Sequence, residues 1–404
     1  MSIDRRSFMI AAATAAAIHQ DRVQGAPSEA GDPRDPLGVR ADFPIVSEHI
    51  FLNSAYIAPT PRPVVAASQA YLQGKSARPM QLNALMATNE AVRAQFARMV
   101  NATPDEIGLL NSTGEGENVI ANGVGLVSGD NVVVDDLHYS TEFVLYRTLE
   151  ASRGIELRIV KNRNGAVTVG DFEPHIDKRT RIVSVAWVSH LNGFRHEMRP
   201  IADLAHAHAA LFYADAVQAV GMIDIDVRAA GVDALCCGSY KWLMAEFGVA
   251  PFFVRRDVLD RIQSDRVGEF SVSSAEPDYH YRLLKTAAKF EATSRAFGAV
   301  SQLQASLSYL EKVGIPRIEK HTSALAQQLY TGLEKQGHRL FTPPGNRSSI
   351  VTFYCGKPVA ATRMAFEAAN IVVTARSGQV RIAPALFNTA DEIEKCLEVT
   401  KQLV

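Results

Sequence analysis

Five short apolar runs, NVVVDD (131–136), ELRIV (156–160), RIVSVAWVS (181–189), ALFYAD (210–215) and ALCCG (234–238), are separated by longer stretches of helical character. Runs that do not alternate with polar residues predict strands buried on both faces, and helices between them predict a mostly parallel sheet with helices on either side. From about Ser294 the pattern changes. Amphipathic helical segments (ALAQQLYTGLEKQ, AATRMAFEAAN) now interleave with SSIVTFYC and QVRIAP, the habit of a small α+β domain. The chain therefore divides into a large α/β domain over residues 64–293 and a small C-terminal domain over 294–404. Ahead of them, residues 46–63 read as an arm: a short strand, then a proline-punctuated turn into a helix. Residues 27–45, rich in Pro, Gly and Asp, read as a linker.

Composition narrows the function classes. With 404 residues, 47% of them hydrophobic, the chain can bury a large core in two domains. Lys and Arg total 42 against 43 Asp and Glu, a net charge of -1, so neither nucleic acid nor an anionic membrane is an expected partner. A small molecule is. The four cysteines form no disulfide framework, and Cys236 and Cys237, adjacent in an apolar run, point to opposite faces of a strand. His206 and His208, two apart on a predicted helix, face different ways and make poor joint ligands; no metal is expected. Residues 1–26 open with Arg5-Arg6-Ser7-Phe8 and an apolar stretch too short to span a bilayer. They read as a twin-arginine signal peptide, with export machinery as a partner, a periplasmic or otherwise exported destination, and no stable membrane anchoring after processing.

Three stretches carry candidate chemistry. In CCGSYKWLMAEFG (236–248), Lys241 follows an apolar strand and a Gly-Ser-Tyr turn. A lysine among apolar neighbours loses its proton more readily and can form a Schiff base with pyridoxal phosphate; the alternative is a solvated lysine at a helix start. In FYADAVQAVG (212–221), Asp215 ends a strand, where open α/β sheets present ligands, and Gln218 follows three residues later. A carboxylate there can pair with a pyridine nitrogen and keep it protonated, or it can cap a turn. In IGLLNSTGEGENVI (107–120), a strand leads through Ser112, Thr113 and Gly114 into a helix whose first amides suit a phosphate. Val119 stands where a dinucleotide fingerprint needs its third glycine, which argues against a nicotinamide cofactor.

Phosphate loop, Asp-x-x-Gln and lysine, in that order, resemble the class V aminotransferases of fold type I, which include cysteine desulfurases, isopenicillin N epimerase and kynureninase. The resemblance runs from about Ile50 to the C-terminus. It implies pyridoxal 5'-phosphate as cofactor, Lys241 as its covalent anchor and catalytic base, and a small-molecule amine as substrate. It also implies cofactor contacts from His138 (a ring over the pyridine), from His190 or Asn192 (a donor to the phenolic oxygen), and from Tyr240, where desulfurases usually carry histidine. Thr293 and Ser294, in KFEATSRAFGAV, match the segment that reaches the phosphate of a partner subunit, so a homodimer is implied. Arg381 matches the arginine that holds a substrate carboxylate, with Arg376 a second candidate, and Asn53 and Tyr56 lie on an arm that crosses the mouth of the site. Two departures matter. Ala245-Glu246 replaces a common Gly-Pro pair, and TARSGQVRIAPALFNT (374–389) lacks the mobile loop with a nucleophilic cysteine. Aminotransferase-like chemistry on a free or peptide-borne amino acid is therefore expected, as in the periplasmic members that tailor siderophores. A carbon-sulfur lyase resembling hercynylcysteine sulfoxide lyases, an epimerase, or a catalytically silent binding protein on the same scaffold are the alternatives.

Overall fold

The computed structural model describes residues 32–275 and 280–403. The expected twin-arginine segment, residues 1–26, lies outside them.

A seven-stranded sheet runs in the spatial order Ile107–Leu110, Ala250–Val254, Ala234–Cys236, Leu211–Asp215, Thr180–Ala186, Asn131–Asp135, Glu156–Val160. The neighbours are parallel except on either side of Ala250–Val254, which is antiparallel to both. The expected strands and helices alternate as their apolar patterning requires, and both sheet faces are covered. Val133, Val183, Phe212, Ala214 and Leu235 enter one apolar cluster, while Val132, Ile182, Leu211, Tyr213 and Ala234 enter another across the sheet. Cys236 and Cys237 fall in opposite clusters, as strand alternation demands. The antiparallel strand was not legible in the sequence because Pro251 lies within it, and proline cannot donate to a ladder. Here its carbonyl accepts from Cys237 N at 3.1 Å, so the strand pairs through the group proline retains.

Parallel strands that end together leave a crevice at their carboxyl ends. Ala186 and Asp215 close two such neighbouring strands and stand side by side in register. Two glycines let the surrounding loops approach. A Cβ on Gly116 would sit 2.5 Å from Cys236 Cβ, so the helix Thr113–Gly123 lies tight against the sheet only because that atom is absent. A Cβ on Gly221, at φ +91°, would sit 2.5 Å from the Trp242 carbonyl oxygen, next to the lysine.

The C-terminal region holds a three-stranded antiparallel sheet of Val351–Tyr354, Gln379–Ile382 and Thr374–Arg376, with helices Ile315–Lys335, Val359–Ala368 and Ala390–Thr400. Its own apolar cluster includes Leu325, Phe353, Phe366, Ile382 and Ile393, and it takes in Leu52 from the arm. The helix Phe297–Val313, placed by sequence in the small domain, instead contributes Val300, Leu303, Leu307 and Leu310 to the large cluster beside Val64 and Phe96. The segment read as a linker is also anchored from Val39 onward. Val39 and Phe43 are buried, Phe43 meets Phe387 at 4.6 Å between ring centres, and Arg40 pairs with Glu392 at 2.9 Å. Its proline and glycine content hid Val39 and Phe43, four positions apart, whose burial docks it.

Candidate active site

Lys241 stands at the crest of the loop joining the strands Ala234–Cys236 and Ala250–Val254. Ser239 pins that loop: its N–H donates to Val249 O at 3.2 Å and its carbonyl accepts from Ala245 N at 3.0 Å. Its hydroxyl also donates to Val249 O at 2.9 Å. Met244 takes a left-handed φ of 52°, and its N–H donates to Lys241 O at 2.7 Å. The amine is thus presented from a closed turn into the protein. Only 8% of Lys241 remains exposed. Burial pulls its pKa down to about 8, the Asp215 carboxylate working against the fall and the Arg381 guanidinium adding to it. Near pH 8, then, about half of these amines are unprotonated and able to attack a carbonyl or take a proton.

Lys241 lines an inner cavity of about 240 Å³ together with Asp215, Gln218, Tyr240, His190 and the run Ser112, Thr113, Gly114. Ser112 caps the helix Thr113–Gly123, its hydroxyl accepting from Glu115 N at 3.2 Å. The first-turn amides that follow have no acceptors within the helix and face an anion-favouring dipole. Thr113 Oγ1 accepts from Gly238 N at 2.9 Å, tying this helix start to the lysine loop and leaving the hydroxyl proton free to donate. Asp215 Oδ1 accepts from Val217 N at 2.9 Å, which orients the carboxylate. The cavity thus joins a phosphate-suited helix start, a buried carboxylate and a buried amine. These fit the anionic tail, the ring nitrogen and the aldehyde of pyridoxal phosphate.

The other candidates divide. His190 lines the cavity, and its Nδ1 is buried with no partner among the described residues, as a group awaiting a ligand atom would be. Burial and the nearby positive charges of Arg381 and Lys241 hold its pKa down at about 2, so its ring is neutral. Asn192, its alternative, is committed elsewhere: its amide donates to Gly165 O at 2.7 Å and its oxygen accepts from Phe194 N at 3.0 Å. Gln218 lines the cavity but bridges the arm to the lysine loop, donating to Ala55 O and accepting from Trp242 Nε1, both at 2.8 Å. Tyr240 stacks on Phe247 at 4.0 Å, fixing its ring at the rim. Thr293 and Ser294 do not join this cavity within one chain; they line a separate small hollow beside Asn111 and Arg295. Asn53, Tyr56, Arg376 and Arg381 line an outer cavity of about 450 Å³ that shares Tyr139, His190, Tyr240 and Lys241 with the inner one.

His138 is where sequence and structure part. It is buried behind the wall, its Nε2 3.0 Å from Ser184 Oγ and its Nδ1 accepting from Tyr139 N at 2.8 Å. The ring that lines both cavities is that of Tyr139, whose centre lies 5.9 Å from Lys241 Nζ. At the end of a strand one residue decides which face a side chain takes, and the motif does not fix that parity.

Glu142 was also missed. It lines the inner cavity while 1% exposed, and Oε2 has no partner among the described residues. Behind it Glu117 accepts from Tyr146 OH at 2.8 Å and from Ser184 Oγ at 2.6 Å. Burial first, then the neighbouring Glu117, push the Glu142 carboxyl far above the carboxylate range, so it is a neutral acid at pH 7. The sequence signal was the spacing Glu142, Tyr146, Leu149, which puts all three on the buried face of Ser140–Arg153. A consequence follows for stability. From about pH 4.5 upward folded Glu142 keeps a proton that the unfolded chain releases, so its contribution declines as pH rises. Glu142→Gln removes that slope. Relative to wild type the variant gains roughly 1 kcal/mol or more between pH 5 and pH 8, read by urea unfolding at both. The same difference at both pH values would mean that Glu142 is ionised in the fold.

These elements describe a pyridoxal phosphate site on a mostly parallel sheet, and comparison with known proteins agrees. Residues 50–393 match the family Aminotransferase class-V, and the chain belongs to it. It is a pyridoxal phosphate enzyme of that family. A probable cysteine desulfurase of Methanothermobacter thermautotrophicus is 29% identical over 391 residues, covering 90% of this chain and 97% of the relative. The apo structure of a cysteine desulfurase from Thermococcus onnurineus superposes with a TM-score of 0.84 at 25% identity, covering 92% of this chain and 98% of that one. The cystine C–S lyase C-DES shares the fold, with a TM-score of 0.83 at 17% identity over 89% of this chain and 99% of its own.

Proposed function

We propose that the chain is an aminotransferase-type enzyme that removes the proton from the amine-bearing carbon of an amino acid, with Lys241 as the base. The observation that carries this reading is a pair of adjoining cavities that share Tyr139, His190, Tyr240 and Lys241, the inner one holding Asp215 and the Ser112–Gly114 helix start and the outer one Arg381. Pyridoxal phosphate bound there supplies a ring that accepts the electron pair left when a bond at that carbon breaks. Ser112, Thr113 and Gly114 would hold the phosphate, Asp215 would accept a hydrogen bond from the ring nitrogen, and His190 Nδ1 would meet the phenolic oxygen. Tyr139 would take the role beside the ring first expected of His138. Arg381 takes the substrate carboxylate: Nη1 is held by His190 O at 2.7 Å, and Nε is buried without a partner. Lys241, lowered toward pH 8, then holds the proton and returns it.

None of the four cysteines lines either cavity, so this site has no thiol to carry sulfur away as a persulfide. Elimination needs none. Because it starts with the same proton removal, a carbon-sulfur lyase is the second reading, favoured by relatives named as desulfurases. In the same reading the enzyme is a homodimer, with Thr293 and Ser294 near the partner's phosphate, and the arginine pair at the N-terminus directs export. The holoenzyme is incubated with L-amino acids, with and without a 2-oxo acid acceptor. A new amino acid formed only when acceptor is present supports transamination. Ammonia or pyruvate released without acceptor overturns it.

A further inference from the structure

The outer cavity is built for more negative charge than one carboxylate carries. Among the described residues its lining includes Lys241 and three arginines, Arg363, Arg376 and Arg381, and no Asp or Glu. Each arginine is held differently. Arg381 is buried, with Nη1 on His190 O and Nε bare. Arg363 reaches from the helix Val359–Ala368 and donates from Nε and Nη2 to the carbonyl of Ala375, at 3.1 and 3.0 Å, which leaves Nη1 uncommitted. Arg376 follows Ala375 at the end of its strand, where its backbone pairs with Gln379, and its side chain makes neither a hydrogen bond nor an ion pair with the described residues. Arg363 and Arg376 are both solvent-exposed and line the same cavity, with guanidinium donors free among the described residues. Arg376 is near enough to Arg381 to help burial lower its pKa to about 10, so the wall is repulsive when empty.

One carboxylate on Arg381 leaves this repulsion half answered, and the phosphate-suited helix start lies in the other cavity. Resting on the function proposed above, we propose that the substrate is an amine with two anionic groups, the second at the far end of its side chain and bound by Arg376 with Arg363. A guanidinium fork suits a carboxylate, sulfonate or phosphate alike, because each offers paired oxygens. A cavity of about 450 Å³ leaves room for several atoms between the two anions.

Two sets of probes test this. In the first, L-aspartate, L-glutamate, L-cysteate, L-glutamine and L-norvaline are titrated against the holoenzyme, and the absorption band of the bound cofactor reports their Kd. At least one dianionic amine binds roughly tenfold or more tighter than L-glutamine, the strength of one charge-assisted contact, and the three acids rank carboxylate against sulfonate. In the second, glutarate and butyrate, which lack an amine, are compared by calorimetry, and glutarate binds more tightly. Arg376→Met and Arg363→Met each weaken glutarate at least fivefold more than butyrate. No dianionic amine binding more tightly than L-glutamine, or equal losses on both acids in the variants, overturns the proposal. If no amine shifts the band, the enzymatic reading fails instead, and the glutarate-to-butyrate ratio still decides whether the arginine wall binds a second anion.

Discussion

Lys241→Ala loses the visible absorption of bound cofactor that borohydride bleaches, and turnover falls by about 10²–10⁴, the span of a positioned proton-transfer group. The geometry also gives a sign that separates function from packing. The lysine is 8% exposed, and burial works against its charge, so the folded apoprotein tolerates the amine at a cost. Alanine there therefore leaves the melting temperature of the cofactor-free protein unchanged or raised. A variant that keeps the absorption, or that loses activity only because it no longer folds, contradicts the assignment. Absorption spectra before and after borohydride, together with thermal unfolding of the apoprotein, decide the matter.

Asp215→Asn carries the second large effect. The carboxylate is 3% exposed and held by Val217 N on Oδ1, a contact that the asparagine oxygen can keep, so the turn survives the change. What goes is the negative charge that, in the proposed function, would face the ring nitrogen. A hydrogen bond to a charged partner contributes about 1.5–3 kcal/mol, so pyridoxal phosphate affinity drops roughly ten- to hundredfold. Turnover drops further, because a ring without its proton withdraws electrons poorly. Cofactor titration of the apoprotein followed by fluorescence measures the first effect. Affinity and rate both within twofold of wild type would mean that Asp215 does not meet the ring.

The residues chosen from sequence that line the inner cavity share one trait: an ending of a regular element fixes them. Asp215 closes an apolar strand, Ser112 starts a helix, and Lys241 follows a Gly-Ser turn, so local pattern alone places them at the crevice. Where tertiary contacts decide, the pattern fell silent. His138 and Tyr139 are adjacent at a strand exit, and only the pull of Ser184 on the histidine ring settles which one turns outward. Glu142 stands in the first turn of its helix, where acids are common, so nothing singled it out, and only its burial beside Tyr146 and Glu117 reveals a neutral group. Arg363 was invisible because its role depends on the carbonyl of Ala375, twelve residues along and on a different element.

The arm binds three parts of the molecule at once. Ile50–Phe51 pairs with Ile371–Val372 beside the small sheet, Ala55 O takes the Gln218 amide, and Ala58 N donates to Tyr240 O in the lysine loop. Leu52 lies wholly buried in the C-terminal cluster and Ala55 in the large one, so this short strap is a shared side of both cores. The folded enzyme therefore resists cleavage between Phe51 and Ala55, and a cut there reports that the two cores have already parted.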